Sequence, residues 1–388
     1  MSLWYLSFIT SICPAISLMS WREFVVLKIG HGGFSGITLP LWLRILWENR
    51  LAIDPPYWVR GCAVTACSVQ NSLFAILEEW LYGRRIRQTE VKSPLFILGS
   101  WRSGTTHLHN LLAQDERFAW PNLFEVFYPR TFLLTGWINR PLLAAMVPPT
   151  RPQDNVVLSL AVPQEDEFAI ANLCGCSFAL AWAFSRNRNY YDRFMTLRGA
   201  SPDEVRRWQD ALLYFAQKLT LKFGKRLVLK SPAHTGRIKR LLEVFPDANF
   251  IHIRRHPHDV YRSTVYTIRK VYPWWSLQRP DYPRLEEDSI AQYRELYEAF
   301  FEEVPLIPVG HFHDLAYEDL ERDPIGTVRQ AYEALSLPDF SAFEPKLNSY
   351  LAQIKAYRKN EFPPLAEEVR QRLASEWKRP FEAWGYEP

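Results

Sequence analysis

The sharpest change of hydrophobic pattern in the chain lies within residues 94–113. An apolar run, Leu95–Leu98, ends at a glycine and is followed by a polar turn, Ser100–Gly104. Apolar residues then recur at helical spacing, at Leu108, Leu111 and Leu112. This pattern predicts a buried strand, a tight loop and a helix whose first backbone N–H groups are unpaired.

A helix start of this kind carries a positive partial charge and binds anionic groups. Arg102 adds a fixed positive charge to the turn, and Thr105 and Thr106 add hydroxyl donors. The turn therefore predicts a phosphate-binding loop.

The loop differs from the loop that binds ATP or GTP, which reads GxxxxGK[ST]. The spacing from Gly99 to Gly104 matches, but Thr105 occupies the position of the lysine. No apolar run ends in an aspartate suited to Mg²⁺, since RLVLK ends in Lys230 and NFIHIRR in arginine. We therefore expect a nucleotide whose reaction needs no metal.

Later segments predict further strands and helices of an α/β fold. Strands at 226–230 and 249–253 flank a helix, and this spacing is typical of parallel strands joined by a crossover. The segment HDLAYEDL (313–320) predicts a last strand. Ser201 followed by Pro202 predicts a capped helix, with a buried face of Val205, Trp208, Leu212, Phe215 and Leu219. Asp323 and Pro324 predict another capped helix.

The N-terminal 92 residues are apolar and rich in tryptophan. Residues 3–19 carry no charge, but Pro14 interrupts them, no basic residue precedes them and no A-x-A site follows. This pattern disfavours a secretory signal and a spanning helix. Residues 42–87 continue with helical patterning and end in Arg84, Arg85 and Arg87. We expect a helical cap that contacts a membrane surface peripherally, without spanning it.

Composition narrows the class of partner. The net charge of +4 over 388 residues lacks the clustered basic runs of a nucleic-acid-binding protein. The five cysteines form no CxxC pair, which indicates a reducing compartment. We expect a cytoplasmic protein and leave its membrane association open.

The segment GSWRSGTTHLHNLL (99–112) resembles the 5′-phosphosulfate loop of sulfotransferases that use 3′-phosphoadenosine 5′-phosphosulfate (PAPS). The resemblance is to the bacterial branch with an RSGTT loop, which is distantly similar to the tyrosylprotein sulfotransferases. It runs from about residue 93 to the C-terminus. It implies a P-loop-like α/β fold of three layers, in which helices flank a central, mostly parallel sheet. We expect a sulfotransferase domain at 93–388, with a substrate-side insertion at about 118–200 and a loop or lid at about 272–288, after an N-terminal extension at 1–92.

The resemblance also implies the residues that bind the donor. Arg255 and Ser263 match the family's 3′-phosphate motif, an arginine followed eight residues later by a serine. The alternative is that Arg255 pairs with Asp259 and that Ser263 is an ordinary helix hydroxyl. The phosphosulfate is expected to contact Ser100, Arg102, Ser103, Gly104, Thr105 and Thr106.

Sulfuryl transfer needs cations at the departing oxygen and a base for the acceptor proton. We expect Arg102 and Lys230 to supply the positive charge, and Glu125, by its position in the family pattern, to be the base. Three rival carboxylates lie at Glu165, Asp166 and Glu167. Three H-x-H pairs (107/109, 256/258 and 311/313) are weak metal signals, and no metal site is expected.

The sequence thus predicts an enzyme that transfers a sulfuryl group from PAPS to a hydroxyl or amine acceptor by in-line displacement. The abundant aromatic residues suggest a small-molecule or lipid-like alcohol as the acceptor. Two alternatives remain at this stage: a non-catalytic nucleotide-binding or membrane-associated scaffold, and an NTP-dependent kinase.

Overall fold

The computed structural model describes residues 32–147, 150–151, 153–154, 156, 158–355 and 359–388. The expectation for residues 3–19 lies outside this described part of the chain.

A five-stranded parallel sheet organises the described chain. Its strand order is β2-β3-β1-β4-β5. The strands are β1 (Leu95–Leu98), β2 (Phe118–Ala119), β3 (Arg226–Lys230), β4 (Asn249–Arg254) and β5 (Phe312–Ala316). The predicted strands and their parallel crossover are confirmed, except that β5 ends at Ala316 and a helix begins at Tyr317, within the segment predicted as the last strand. Strand β2 is an additional edge strand.

Helices surround this sheet. The first group comprises α1 (Leu39–Glu48), α2 (Trp58–Arg87), α3 (Thr105–Leu112), α4 (Leu123–Phe127), α5 (Gly136–Met146), α6 (Glu167–Cys174), α7 (Leu180–Ala183), α8 (Arg188–Asp192) and α9 (Pro202–Phe223). The second comprises α10 (Ile238–Val244), α11 (Pro257–Trp275), α12 (Tyr282–Glu303), α13 (Tyr317–Arg322), α14 (Pro324–Ala334), α15 (Glu344–Ile354), α16 (Glu367–Glu376) and α17 (Lys378–Trp384). Short 3₁₀ helices occupy Gly32–Phe34, Pro55–Tyr57, Ser185–Asn187, Pro232–Gly236 and Val304–Leu306.

The central strand β1 shows how the three layers form. Successive side chains of a strand point to opposite faces. Leu95 and Ile97 pack with α3 and α14, whereas Phe96 and Leu98 belong to the larger cluster on the opposite face. Because both faces are covered, all four residues of β1 are apolar and buried. The predicted three-layer α/β fold is confirmed.

The strand order determines where a ligand can bind. Strand β1 pairs with β3 on one side and with β4 on the other. The chain therefore runs in opposite directions from β1 along the sheet, and such a switch point opens a crevice at the carboxyl ends of the strands. Three candidate features lie at this edge: the loop after β1, Lys230 at the end of β3, and Arg255 just after β4.

Two predicted helix starts are confirmed in detail. The Ser201 hydroxyl accepts from Glu204 N, and Glu204 Oε2 accepts from Ser201 N at 2.8 Å, which completes a capping box. The buried face of α9 includes the five residues expected for it. Asp323 Oδ1 accepts from Gly326 N at 2.9 Å and caps α14.

The segment at 272–288 differs from its prediction as a surface loop. Helix α11 continues to Trp275 and α12 begins at Tyr282, so only residues 276–281 lie outside these helices. Trp275 stacks on Phe168 at 4.7 Å between ring centroids, and this burial extends the helix into the expected loop. Arg60 of α2 donates to Ser276 O at 2.8 Å and holds the connection.

Helices α1 and α2 pack against each other, and α2 also packs on α9. In the described residues, none of the helices has the length and apolarity needed to cross a membrane. The domain boundary at residue 93 and the limits of the insertion stay predictions.

Candidate active site

The loop after β1 has an unusual backbone. Gly99, Arg102 and Gly104 have φ values of 142°, 68° and 103°. A side chain at Gly104 would place its Cβ 2.3 Å from Cδ2 of Tyr317, and one at Gly99 would meet the Ile253 carbonyl at 2.6 Å. Both glycines are thus required by their conformation and by close packing.

Hydrogen bonds hold this loop in place. Gly99 N donates to Thr235 Oγ1 at 2.7 Å, and Ser100 N contacts the Tyr297 hydroxyl at 3.2 Å. Ser103 Oγ donates back to the Ser100 carbonyl at 2.9 Å. Ser103 is therefore a loop-bracing residue, whereas Ser100 is buried beside the Tyr297 hydroxyl and lines a cavity. Thr105 and Thr106, at the start of α3, line the same cavity.

The structure brings Arg255 and Ser263 together around Arg102. Arg102 Nε donates to Ser263 Oγ at 2.8 Å, and Arg255 Nη1 donates to the Arg102 carbonyl at 3.2 Å. The Arg255 guanidinium lies 4.5 Å from the ring centre of Tyr317. Its contact with Asp259 is long, at 3.8 Å. The alternative of a simple Arg255–Asp259 pair is thus disfavoured.

A second ion pair at this edge was missed by the sequence analysis. Arg102 Nη1 donates to Asp154 Oδ2 at 2.7 Å, and Arg151 Nε donates to Asp154 Oδ1 at 3.0 Å. Burial would raise the pKa of Asp154, but the two guanidinium groups lower it below its usual value. Burial also lowers the pKa of Arg102, against the attraction of Asp154. The only signal in the sequence is an arginine three residues before an aspartate.

Lys230 lies at the end of β3 and is buried. Its Nζ donates to Glu165 Oε1 at 2.7 Å, and only 2% of the lysine side chain is exposed. Burial lowers the pKa of Lys230, and the neighbouring Glu165 carboxylate opposes this. Glu165 also lines the cavity, so one carboxylate meets both the buried cation and the open space.

The two acids after Glu165 have other partners. Asp166 Oδ1 lies 2.9 Å from His234 Nε2, and both side chains are fully buried. Glu167 accepts from Arg237 at 2.7 Å and from the hydroxyl groups of Ser177 and Ser231. These two acids therefore fasten the segment before α6 to the segment after β3, while Glu165 is the acid that reaches the cavity.

The surroundings of Glu125 argue against a role as the base, and its role stays a prediction. Glu125 Oε2 accepts from Asn122 N at 2.9 Å, as the second half of a capping box at the start of α4. Its other oxygen is bound by Lys222. The carboxylate is fully buried and does not line the cavity. Its apolar neighbours form the short helix α4, which Asn122 caps.

The cavity beside the loop has a volume of about 300 Å³. The loop and Glu165 form one part of its wall, and aromatic side chains form much of the rest. These rings contact one another: Trp101 packs on Phe178 at 5.0 Å, and Trp182 on Trp275 at 5.5 Å between centroids. An apolar chain fits such a wall better than a sugar or a peptide does.

A polar cluster interrupts the apolar wall at one place. Arg188 donates to the Tyr272 hydroxyl at 2.8 Å and pairs with Asp192 and Asp288 at 3.0 and 3.1 Å. Arg188 and Tyr272 both line the cavity. The sequence analysis did not identify this cluster, because its members come from three separate helices.

The histidine pairs do not form a metal site. His311 contacts the Ala248 carbonyl at 3.0 Å, and Asp314 is taken by His252 and Arg254. Within the described ranges, no three His, Cys, Asp or Glu side chains are grouped so as to hold a metal ion.

Comparison with known proteins agrees with this geometry. Residues 94–342 match the Sulfotransferase family. The chain is 36% identical over 371 residues to the omega-hydroxy-beta-dihydromenaquinone-9 sulfotransferase Stf3 of Mycobacterium tuberculosis, and equally to that of Mycobacterium bovis, with 95% of this chain and 94% of the relative covered.

Solved structures show the same fold. Sulfotransferase STF9 from Mycobacterium avium superposes with a TM-score of 0.65 at 21% identity, covering 89% of this chain and 92% of that one. Sulfotransferase STF1 from Mycobacterium tuberculosis H37Rv superposes with a TM-score of 0.61 at 18% identity, covering 87% and 92%. The family match and the Stf3 relative agree with the loop, and the chain belongs to the sulfotransferase family.

Proposed function

We propose that this sulfotransferase moves a sulfuryl group from PAPS to the hydroxyl of a lipid-like alcohol, with Glu165 as the base. The observation that carries the proposal is the shared cavity. The anion-binding loop and the carboxylate of the Lys230–Glu165 pair line one space whose remaining wall is largely aromatic. Membership of the family disfavours the scaffold and the NTP-dependent kinase.

The loop suits the 5′-phosphosulfate. Its backbone is braced by Thr235 and Tyr297 before any ligand arrives, so little reorganisation is needed on binding. The Ser100 side chain lines the cavity, where its hydroxyl could donate to an anionic oxygen of the donor. Ser103, Gly104, Thr105 and Thr106 complete the proposed cradle.

Arg255 and Ser263, which both contact Arg102, suit the phosphate at the 3′ position. Arg102 and Arg151 share one carboxylate, that of Asp154, and Arg255 lies next to them. Three guanidinium groups beside Asp154 and the more distant Asp259 leave positive charge for a polyanionic donor. Arg255 is stacked on Tyr317, which fixes the plane of its guanidinium.

The reaction needs one proton acceptor. As the acceptor oxygen bonds to sulfur, the bond from sulfur to the bridging oxygen breaks, and the nucleotide leaves as 3′-phosphoadenosine 5′-phosphate (PAP). Glu165 takes the hydroxyl proton, and Lys230 positions the carboxylate through its 2.7 Å hydrogen bond. Lys230 and Arg102 place positive charge where the departing oxygen becomes negative.

The acceptor is inferred from the wall and from the relative. The Stf3 relative acts on a hydroxylated menaquinone, an alcohol with a long apolar chain, as its name states. The aromatic wall of this chain suits an acceptor of the same class. Such an acceptor resides in a bilayer, so a peripheral membrane contact through the N-terminal region follows from the same proposal.

Calorimetry and mass spectrometry test this function. We expect metal-free binding of PAP and PAPS and no binding of Mg-ATP. With PAPS and a hydroxylated polyprenyl lipid, we expect a sulfated lipid and one PAP per product. Tight binding of Mg-ATP, or a protein that binds PAP and sulfates no hydroxylated lipid, would contradict the proposal.

A further inference from the structure

Helix α2 presents an apolar stripe to solvent. The stripe, called here the outer stripe, consists of Trp58, Val69, Leu73, Ile76, Leu77 and Trp80. At about 100° per residue these positions fall on one side of the helix. Leu73, Ile76 and Trp80 are 66%, 70% and 79% exposed. Single exposed apolar residues are ordinary, but a continuous row along one helix marks an interaction surface.

The opposite side of α2 carries polar side chains that form hydrogen bonds with the rest of the protein. Asn71 Nδ2 donates to the carbonyl groups of Ser35 and Ile37 at 2.7 and 3.1 Å. Glu78 is buried against Lys218 and accepts from Leu134 N at 2.8 Å. The inward polar groups therefore have specific partners, and rotation of the helix would leave these groups buried without hydrogen bonds. The outward direction of the stripe is thus built into the fold.

Basic residues lie at one end of the stripe. Arg84, Arg85 and Arg87 occupy the last turn of α2, and all three are exposed. Arg87 pairs with Glu79, whereas no carboxylate is found beside Arg84 or Arg85 in the described residues. An apolar face with tryptophans and a cationic end is the pattern of a helix that lies in the interface of an anionic bilayer.

A hydrogen bond links helix α2 to the segment before α5, a helix that lines part of the cavity. Leu134, just before α5, donates to Glu78 of α2. In α5 itself, Leu143 lines the cavity, while Trp137 and Leu142 are 78% and 59% exposed. The same short helix therefore faces the acceptor space on one side and solvent on the other.

We propose that the outer stripe, with Arg84 and Arg85, docks on an anionic lipid bilayer, with α2 lying along the membrane plane. The occupant is the lipid surface, because cations at the end of an apolar face complement anionic headgroups. The proposal rests on the proposed function in one respect: a lipid-like acceptor gives the enzyme a reason to be at the bilayer.

Vesicle flotation with the full-length protein tests this docking. We expect the protein to float with vesicles of phosphatidylcholine and phosphatidylglycerol, and less with phosphatidylcholine alone. The double variant Ile76→Asp, Trp80→Asp should lose about tenfold or more in affinity for the mixed vesicles. Arg84→Gln with Arg85→Gln should weaken binding and flatten its dependence on salt.

The matched control is Val309→Asp. Val309 is fully exposed and apolar but lies outside the stripe, so this variant should bind vesicles as the wild type does. Unchanged circular dichroism melting would show that the variants fold. A wild type that ignores both vesicles, or a double variant that binds equally well, overturns the proposal. So does a wild-type dimer that the double variant converts to monomer, because a second copy then covers the stripe.

Calorimetry with PAP separates this inference from the function. The stripe variants should bind PAP as the wild type does, since the outer stripe lies outside the donor site. A wild type that floats with vesicles but binds no PAP would refute the sulfotransferase proposal and leave the docking surface standing. A wild type that binds PAP but does not float with vesicles would refute the docking surface and leave the sulfotransferase proposal standing.

Discussion

Lys230 and Glu165 meet through a hydrogen bond of 2.7 Å, although 65 residues separate them in the chain. The neighbouring pairs His234–Asp166 and Arg237–Glu167 hold the same two segments together. Three consecutive acids thus meet three basic side chains, one at the end of β3 and two in the segment after it. The two buried pairs position the third, and the third is the one at the cavity.

The first prediction concerns this carboxylate. Glu165→Gln should lower turnover by a factor on the order of 10² to 10⁴, the usual contribution of a general base. The affinity for PAP should change little, because the substitution keeps the shape of the side chain and the loop is untouched. Steady-state kinetics and calorimetry on the same preparation measure both quantities.

Glu125→Gln is the matched control for that experiment. It should keep turnover and lower the free energy of unfolding by about 1–3 kcal/mol, because it removes the buried charge that pairs with Lys222. Thermal melting measures this loss. An inactive Glu125→Gln beside an active Glu165→Gln would return the role of base to Glu125.

The second prediction concerns the 3′-phosphate. Arg255→Ala should weaken PAP binding by about 1.5–3 kcal/mol, as for a lost charge-assisted hydrogen bond, and should spare adenosine 5′-phosphosulfate. The neighbour Arg254 is the control, because it pairs with Asp314. Arg254→Ala should leave the affinity for both ligands unchanged. Equal losses for the two ligands in Arg255→Ala would remove this arginine from the 3′ site.

The fold could be predicted from the sequence because its strands and helix starts carry local signals. The apolar runs of β1, β3 and β4 and the caps at Ser201 and Asp323 act over a few residues each. The helical ends of the segment at 272–288 could not be predicted. Its prolines and charges resemble a loop, whereas the packing of Trp275 on Phe168 depends on a distant part of the chain.

Short motifs predicted which groups lie near the loop, whereas the partners of the candidate acids could not be predicted. The loop and its cluster with Arg255 follow from local spacing. The choice between Glu125 and Glu165 depends on which cation each one meets, Lys222 or Lys230, and both contacts join distant parts of the chain. Asp154 was missed for the same reason, because its role appears only beside Arg102.

The third prediction concerns the backbone of the loop. Gly104 has φ 103°, and a Cβ there would overlap the Tyr317 ring. Gly104→Ala should destabilise the protein by about 2–4 kcal/mol and weaken PAP binding, because strain and collision both displace the loop. Gly224 also has a positive φ, 62°, but nothing lies within 4 Å of its Cβ position. Gly224→Ala should cost only about 1 kcal/mol and keep PAP affinity; equal effects of the two variants in melting and calorimetry would contradict the steric argument.

The last prediction concerns acid stability and His258, in the first turn of α11. Burial, with the nearby His256 and Arg370, lowers the pKa of His258 to about 4, against 6.5 for a free histidine. The unfolded chain therefore gains a proton at this residue as the pH falls below 6.5, while the folded chain does not until about pH 4. His258 thus makes the protein less stable as the pH falls through this window.

The variant His258→Phe tests this argument. It keeps a ring against Phe381, which lies 5.2 Å away, but cannot bind a proton. Denaturant unfolding at several pH values measures this effect, and the variant should lose less stability on acidification than the wild type. The remaining loss comes from other groups such as His256, because burial also lowers the pKa of that residue. Parallel pH curves for the wild type and the variant would show that His258 does not titrate differently in the folded and unfolded states.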